Sequence, residues 1–304
     1  MAPILTIIIP TVCSEERAAT LLRAIESALA SATQESIVLV VANGPRVSEG
    51  LFRQLQDMPR VQSLRLETGS SPNAVIEGRK LIATEFFGFL DDDDELLQGA
   101  SELRLQQLQQ DASVDIAVIN GYREVGGTLN LMMPTLQGIA SEPLRTLLDA
   151  NWLASCAALF RTRTVGVEVF LDPQPLAEWT WLAYRLALLK MRFCPIEEPG
   201  YVIHDTPSSL SKTQRYVESY IGLFDRMLSE NPPAWASRKI VQKRCNALHD
   251  LSYRALQRGD YRQAWRLHIQ SLNAVSGLKY FFFGRKIFVG AVRSALSPPA
   301  DGRP

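Results

Sequence analysis

Residues 91–94 are four consecutive aspartates, placed directly behind the apolar run FFGFL at 86–90. At an effective dielectric of about 20, two unit charges ~4 Å apart repel by roughly 4 kcal/mol, so the cluster needs a counter-charge or open water. A calcium-binding helix–loop–helix would require glycine at the sixth loop position; counted from Asp91 that position is Leu96, which excludes it. A phosphatase with an Asp-x-Asp nucleophile carries the pair after its first strand with a threonine soon after. Here the cluster follows a fourth strand, and Glu95 stands in the threonine's place. A solvated acidic turn without a ligand is the reading that involves no chemistry. The last reading is a divalent cation shared between protein carboxylates and a diphosphate, because these oxygens are the ligands that Mg2+ and Mn2+ prefer. With the cation, mutual repulsion becomes a binding device, and this reading is carried forward.

The elements that must position the cluster are legible from hydrophobic patterning. ILTIIIP at 4–10 is continuous and β-branched, which predicts a strand buried on both faces. A helix should follow, capped by Ser14 with Glu15 and Glu16 in its first turn. SIVLVVANGP at 36–45 predicts a second strand stopped by Asn-Gly-Pro. A helix at VSEGLFRQLQDM, a third strand at 61–67, a helix at 73–85, a fourth strand at 86–90 and a fifth at 115–120 complete the alternation. That alternation predicts an α/β fold with a doubly wound, mostly parallel sheet, whose ligands dock beyond the carboxyl ends of its strands. The aspartates lie at one such end. Residues 121–150 should form a Gly-rich hairpin and a helix, 154–162 a strand and 176–190 a helix. Beyond Gln214 the pattern is helical only, broken at Gly259 with Asp260 as the next N-cap. The expected organisation is a domain over 1–212, a helical extension over 213–296 and a disordered tail over 297–304.

Composition narrows the functional classes. The 304 residues carry 32 Lys and Arg against 32 Asp and Glu, so no net field draws the chain to nucleic acid. Cys13, Cys156, Cys194 and Cys245 show no metal-ligand spacing and are expected to be free thiols in a reducing compartment. The N-terminus lacks a basic leader region, and no run reaches 18 apolar residues. The expected location is cytoplasmic, with peripheral contact at the inner membrane face as the variant.

Five segments in order resemble the family-2 glycosyltransferases of the GT-A fold, over roughly residues 4–212. ILTIIIPTVCSEERAATLLRAIESAL is similar to the opening strand, Pro-Thr turn and first helix of that family. VLVVANGP sits where it has Val-Val-Asp-Asp-Gly-Ser, and AVIEGRKLIATEFFGFLDDDDEL resembles its Ala-Arg-Asn-x-Gly helix, strand and Asp-x-Asp-Asp. LAEWTWLAYRLA resembles the segment carrying the catalytic base, and YVIHDTPSSLS the His-containing segment that closes the fold. The resemblance implies an inverting, metal-dependent transfer of a sugar from a nucleoside-diphosphate donor to a saccharide or glycolipid acceptor, in bacterial surface-polysaccharide or glycolipid assembly.

Carried over by position, the resemblance implies that Pro10 and Thr11 line the nucleotide base and that Asp91 contacts the ribose, with Asp92 beside it at the nucleotide sugar. Asp93, Asp94 and His204 would lie at the Mg2+ or Mn2+ and the diphosphate. Asn43 falls where an acidic residue usually reads the base, and Ala42 replaces its neighbour. Val75 and Ile76 replace the usual Arg-Asn pair, and Arg79, one turn on, is a candidate cation for the phosphates. An inverting displacement needs a general base at the acceptor hydroxyl. Glu178, flanked by Trp179 and Trp181, is the candidate, with Asp172 in reserve. The altered positions also feed a rival reading, a degenerate transferase fold acting as a binding or scaffold protein. Finally, 277–296 mixes Tyr280, Phe281, Phe282, Phe283, Ile287 and Phe288 with Lys279, Arg285, Lys286 and Arg293. Two readings stay open for it: a helix that buries its aromatics against the protein, and one that lies on an anionic membrane surface. His249 and His268 are assigned no role.

Overall fold

The apolar run Leu5–Thr11 forms β1, buried along its whole length in the computed structural model, which describes residues 2–32, 36–205 and 213–296. Ser36–Asn43 (β2), Val61–Leu66 (β3) and Phe86–Phe89 (β4) join it in parallel, with Ile8 opposite both Leu39 and Phe89. The connecting helices are Ala18–Ala30 (α1), Glu49–Asp57 (α2) and Ser71–Lys80 (α3). Two helix boundaries differ from expectation. Ser14 makes no capping bond, because Glu15–Arg17 form a 3-10 turn and α1 begins only at Ala18. At the other end, α3 stops at Lys80 rather than 85: Thr84 is drawn into the sheet, where its hydroxyl bonds Thr6 and the Phe86 carbonyl.

Gly78 explains why α3 lies so close to the sheet. A Cβ at that position would stand 2.7 Å from Ile8 Cγ2 and 3.1 Å from Val41 Cγ2. Only hydrogen fits, so the helix settles directly onto β1 and β2.

The second half of the sheet departs from a purely parallel winding. After Glu95–Leu96 (β5) and Ala100–Gln110 (α4), the strand Ile116–Val125 (β6) runs five residues further than the sequence suggests. Those extra residues pair with Thr128–Leu131 (β7) through a two-residue turn in which Gly126 and Gly127 have φ of 58° and 79°. Both positions of such a hairpin turn demand positive φ, which glycine supplies without strain. Two short helices, Gly138–Ser141 (α5) and Pro143–Asp149 (α6), lead to Ala158–Arg161 (β8). β8 lies antiparallel between β4 and β6, its Leu159 facing Gly88 and Ala117.

Glu178–Leu188 (α7) leads to Phe193–His204 (β9), which returns parallel to β6. The register slips around Asn120, where Pro199 takes the pairing place; proline cannot donate to a ladder. The full order is β3-β2-β1-β4-β8-β6-β9-β5, with β5 antiparallel to β9. Within this sheet Phe86, Phe87, Phe89 and Phe160 are fully buried, and on one face Phe87 and Phe160 stack at 5.0 Å. Each such ring contributes about 1.5–3 kcal/mol of transfer free energy.

The chain divides into two compact units, Met1–Ser208 and Ser209–Pro304. The second holds Gln214–Ser229 (α8), Ala234–Gln257 (α9), Tyr261–Ser271 (α10), a 3-10 helix at Val275–Tyr280 and Phe283–Leu296 (α11). Asp260 caps α10, accepting from the Gln263 N–H at 3.0 Å. Among the described residues, no helix is long and apolar enough to cross a membrane. The expected tail at 297–304 and the 206–212 part of the closing motif lie outside the described residues.

Candidate active site

β4 hands its last main-chain bond to Leu90, whose N–H donates to the Ile8 carbonyl at 3.0 Å. The chain then reverses, the Asp94 N–H donating to the Asp91 carbonyl at 3.2 Å. A turn sends successive side chains in different directions, and this resolves much of the repulsion posed by four adjacent carboxylates. Asp91 turns toward β8 and accepts from Ser155 Oγ at 2.9 Å. Asp92 turns back to the mouth of α1, accepting from Thr11 Oγ1 and from Arg17 Nη1, each at 2.5 Å. Asp93 meets the same guanidinium at 3.1 Å, while its carbonyl accepts from Arg23 Nη2 at 2.9 Å. Asp94 accepts from the His204 main-chain N–H at 3.0 Å.

The electrostatics follow from these partners. Asp94 is pushed up to about 9, by burial first and then by Asp91 and Asp93. Asp91 rises to about 6, again chiefly through burial, with the Ser155 bond opposing. Burial also raises Asp92, against the lowering effect of Thr11 and Arg17. Both carboxyls are thus raised chiefly by burial, and Asp91 is among the charges that raise Asp94 further.

A cleft partly open to solvent lies beside Asp91. Pro10 and Asp91 come from the ends of β1 and β4, Ser71 and Val75 from α3, and Glu178, Trp179 and Trp181 from α7. Burial raises the Glu178 carboxyl above its ordinary range, and the Leu176 N–H holds one of its oxygens at 2.9 Å. The loop before α7 is bent to do this: Asp172 and Leu176 have φ of 59° and 64°. Left-handed backbone costs a non-glycine residue ~1–2 kcal/mol. Arg185 pins the base of the loop through the Val169 and Leu171 carbonyls at 2.8 and 2.7 Å.

The structure thus gathers Pro10, Asp91 and Glu178 in one cleft, with Asp93 and Asp94 on the adjoining turn. Other expected residues are placed differently. Arg79 does not reach for phosphate. It is buried, bonds the Thr162 and Val165 carbonyls, and lies 4.4 Å over the Phe87 ring. His204 is not presented as a ligand, because Nδ1 is bonded to Glu124 at 2.5 Å and Nε2 to Glu95 at 2.7 Å. Asn43 is turned to the backbone, donating to the Thr11 carbonyl and accepting from the Ser70 N–H, so it ties β1 and β2 to the start of α3. The hydroxyl of Thr11 and the carboxylate of Asp92 are spent largely on one another. Asp172 is exposed on the loop before α7, and the cleft wall beside it is Pro173.

Three residues of the site have no motif in the sequence reading: Arg17, Ser155 and Arg104. Arg17 ends the 3-10 turn ahead of α1 and Arg23 lies within α1. Their spacing of six matches neither the three- nor the four-residue helical neighbour distance, so it gives no signal of a shared acidic partner. Arg104 is fully buried and donates to the Cys156 carbonyl at 2.9 Å, which steadies the turn carrying Ser155. A buried guanidinium of this kind leaves no trace in local patterning.

The donor set suits a hard divalent cation. No group of three His, Cys, Asp or Glu is gathered for a metal among the described residues. Mg2+, however, commonly takes only one or two carboxylates and completes its shell with substrate phosphates and water. Asp91 on the cleft wall and Asp94 on the same turn are carboxylates that could meet that requirement.

The fold is an open α/β sheet with acidic groups at its carboxyl rim and a further carboxylate, Glu178, in the same aromatic cleft as Asp91. The chain belongs to glycosyl transferase family 2, whose profile matches residues 6–164, and it is a glycosyltransferase. Among solved structures, residues 1–349 of S. aureus TarS in complex with UDP-GlcNAc superpose with a TM-score of 0.62 at 16% identity, covering 95% of this chain and 88% of that one. The UDP complex of the same TarS fragment gives 0.60 at 14% identity over the same shares. A further TarS structure, of which this chain covers 53%, gives 0.62 at 15%. These likenesses show a common GT-A fold. No curated protein matches.

Proposed function

We propose that the protein is an inverting, metal-dependent glycosyltransferase that moves a sugar from a nucleoside diphosphate to a hydroxyl of a saccharide or glycolipid acceptor. The observation that supports this most is the single cleft with Asp91 on one wall and Glu178 on the other. Glu178 takes the proton of the acceptor hydroxyl. The acceptor oxygen bonds to the anomeric carbon as the bond from that carbon to the phosphate oxygen breaks, and the nucleoside diphosphate leaves. Burial favours this role, since a base works best when its pKa approaches the working pH. Half-buried Trp179 offers an apolar face suited to a sugar ring, while Trp181 is buried and stacked on Tyr184. Asp91, Asp93 and Asp94 are the carboxylates that would hold Mg2+ or Mn2+, which when bound supplies positive charge to the leaving diphosphate. All four cysteines are free thiols, which supports a reducing, cytoplasmic setting.

The decisive experiment is release of nucleoside diphosphate from a panel of nucleotide sugars with Mn2+ present, beginning with UDP-GlcNAc because TarS binds it. Turnover with one donor, lost on adding EDTA and in Asp91→Asn, supports the proposal. Turnover untouched by EDTA removes the metal from it, and a folded protein that binds no nucleotide overturns it.

A further inference from the structure

The chain is neutral overall, yet its two units are not. Met1–Ser208 carries 16 Lys and Arg against 26 Asp and Glu, and Ser209–Pro304 carries 16 against 6, so their net charges are −10 and +10. Within the second unit the positive charge is concentrated further. Residues 261–300 contain six Lys and Arg and no Asp or Glu.

The end of this unit has two faces. Phe283 and Ile287 are buried against Ala255 and Ala264 in the unit's own core, so half of the aromatic segment packs as a terminal helix should. The other half does not. Val275 is 86% exposed, Phe282 84%, Phe281 62% and Phe288 61%, and Val289 and Val292 continue the exposed strip along α11. Arg285, Phe288, Val289 and Val292 recur at three- and four-residue spacing, so they share one side of the helix. Lys279, Lys286 and Arg293 are exposed among them. Between Lys279 and Lys286 runs a shallow groove floored by His249 and Tyr280. The floor is braced: the two rings stack at 3.7 Å, and the Tyr280 hydroxyl bonds Asn246 at 2.9 Å.

An exposed apolar patch of this kind marks an interaction surface. A protein interface concentrates its apolar groups centrally and keeps charge at the rim. Here cations and aromatics alternate throughout. That mixture suits the headgroup layer of a bilayer, where rings enter the acyl boundary and cations meet lipid phosphates. We propose that the face formed by Val275–Tyr280 and the outer side of α11 docks this protein onto an anionic bilayer surface. Phe281, Phe282 and Phe288 enter the interface, and Lys279, Arg285, Lys286 and Arg293 engage the phosphates. The inference does not rest on the proposed reaction, and its failure would leave nucleotide-sugar turnover as it stands.

The test is cosedimentation of the full chain with vesicles of phosphatidylcholine alone, and of phosphatidylcholine mixed with phosphatidylglycerol. Binding to the mixed vesicles only, weakening as salt rises, is expected. Lys279→Gln and Lys286→Gln should each reduce partitioning roughly fivefold. The pair Phe281→Ser and Phe282→Ser should abolish it at an unchanged melting temperature, since both side chains are exposed. Equal partitioning into both vesicle types, no partitioning, or retention by all the variants would overturn the proposal. So would capture by an acidic polypeptide in the absence of vesicle binding, which would assign the face to a protein partner.

Discussion

Arg17 lies between Asp92 and Asp93 and compensates the half of the aspartate cluster that faces α1. Of the other two, Asp91 is bonded by Ser155 and Asp94 by a main-chain N–H, with the more distant charge of Arg123 acting on Asp94. This asymmetry sets the sign of a pH effect. Burial and the neighbouring aspartates push Asp94 up to about 9 in the fold, against roughly 3.9 in an unfolded chain. Between those values the unfolded state ionises freely while the fold holds the proton, so stability falls as pH rises through that window. Asp94→Asn keeps the acceptor for the His204 N–H and removes the ionisation. Its metal-free melting temperature should exceed that of the parent at pH 8 and match it near pH 4, while added Mn2+ should raise the parent's melting temperature more than the variant's. Glu178 gives the complementary case. Its raised pKa means that a reaction needing it ionised loses rate at a higher pH than an ordinary carboxylate would dictate. Glu178→Gln should lower kcat on the order of 10²–10⁴-fold, leave donor affinity unchanged and remove that acid limb from the pH profile.

Elements decide how near these groups come to one another. α3 carries Ser71 and Val75 into the cleft wall, and its distance from the sheet is set by the missing side chain of Gly78. Gly78→Ala must push the helix outward or shift Ile8. A loss of ~1–3 kcal/mol is expected from such overpacking, read by denaturant unfolding, together with a raised donor KM because the wall moves with the helix. Much of this framework is legible in the sequence. ILTIIIP and SIVLVVAN announce buried parallel strands by their unbroken apolar runs, and the aspartates follow a strand as the notion of a carboxyl-end site requires. The sense of β8 is not legible, because ALFR reads alike in either direction and only its neighbours β4 and β6 fix it. Arg79 misleads for a related reason. On a helix with a polar face it looks solvent-bound, but the short reach from α3 to Phe87 and the Val165 carbonyl buries it. The bonding of His204 to both Glu124 and Glu95 likewise needs three strands side by side, a coincidence that no single segment reveals.

At the scale of the molecule, the neutral total hides opposite charges on the two units. An isoelectric point near 6.8 would predict weak binding to any ion exchanger at pH 7. The acid-free stretch over 261–300 predicts instead that a cation exchanger retains the chain at low salt. Neutralising Lys279, Arg285, Lys286 and Arg293 together should release it, and elution conductivity is the measurement.

The antiparallel insertion of β8 also matters while the chain is being made. β1 to β4 can pair as soon as they emerge, but Phe87 waits for Phe160 to close its other edge. At roughly 5–20 residues per second of synthesis, that edge stays open for several seconds with Phe86, Phe87 and Phe89 beside it. An open, aromatic strand edge is a template for aggregation. Fragments released at residue 150 should therefore scatter light and bind a hydrophobic dye under conditions where the whole chain stays clear.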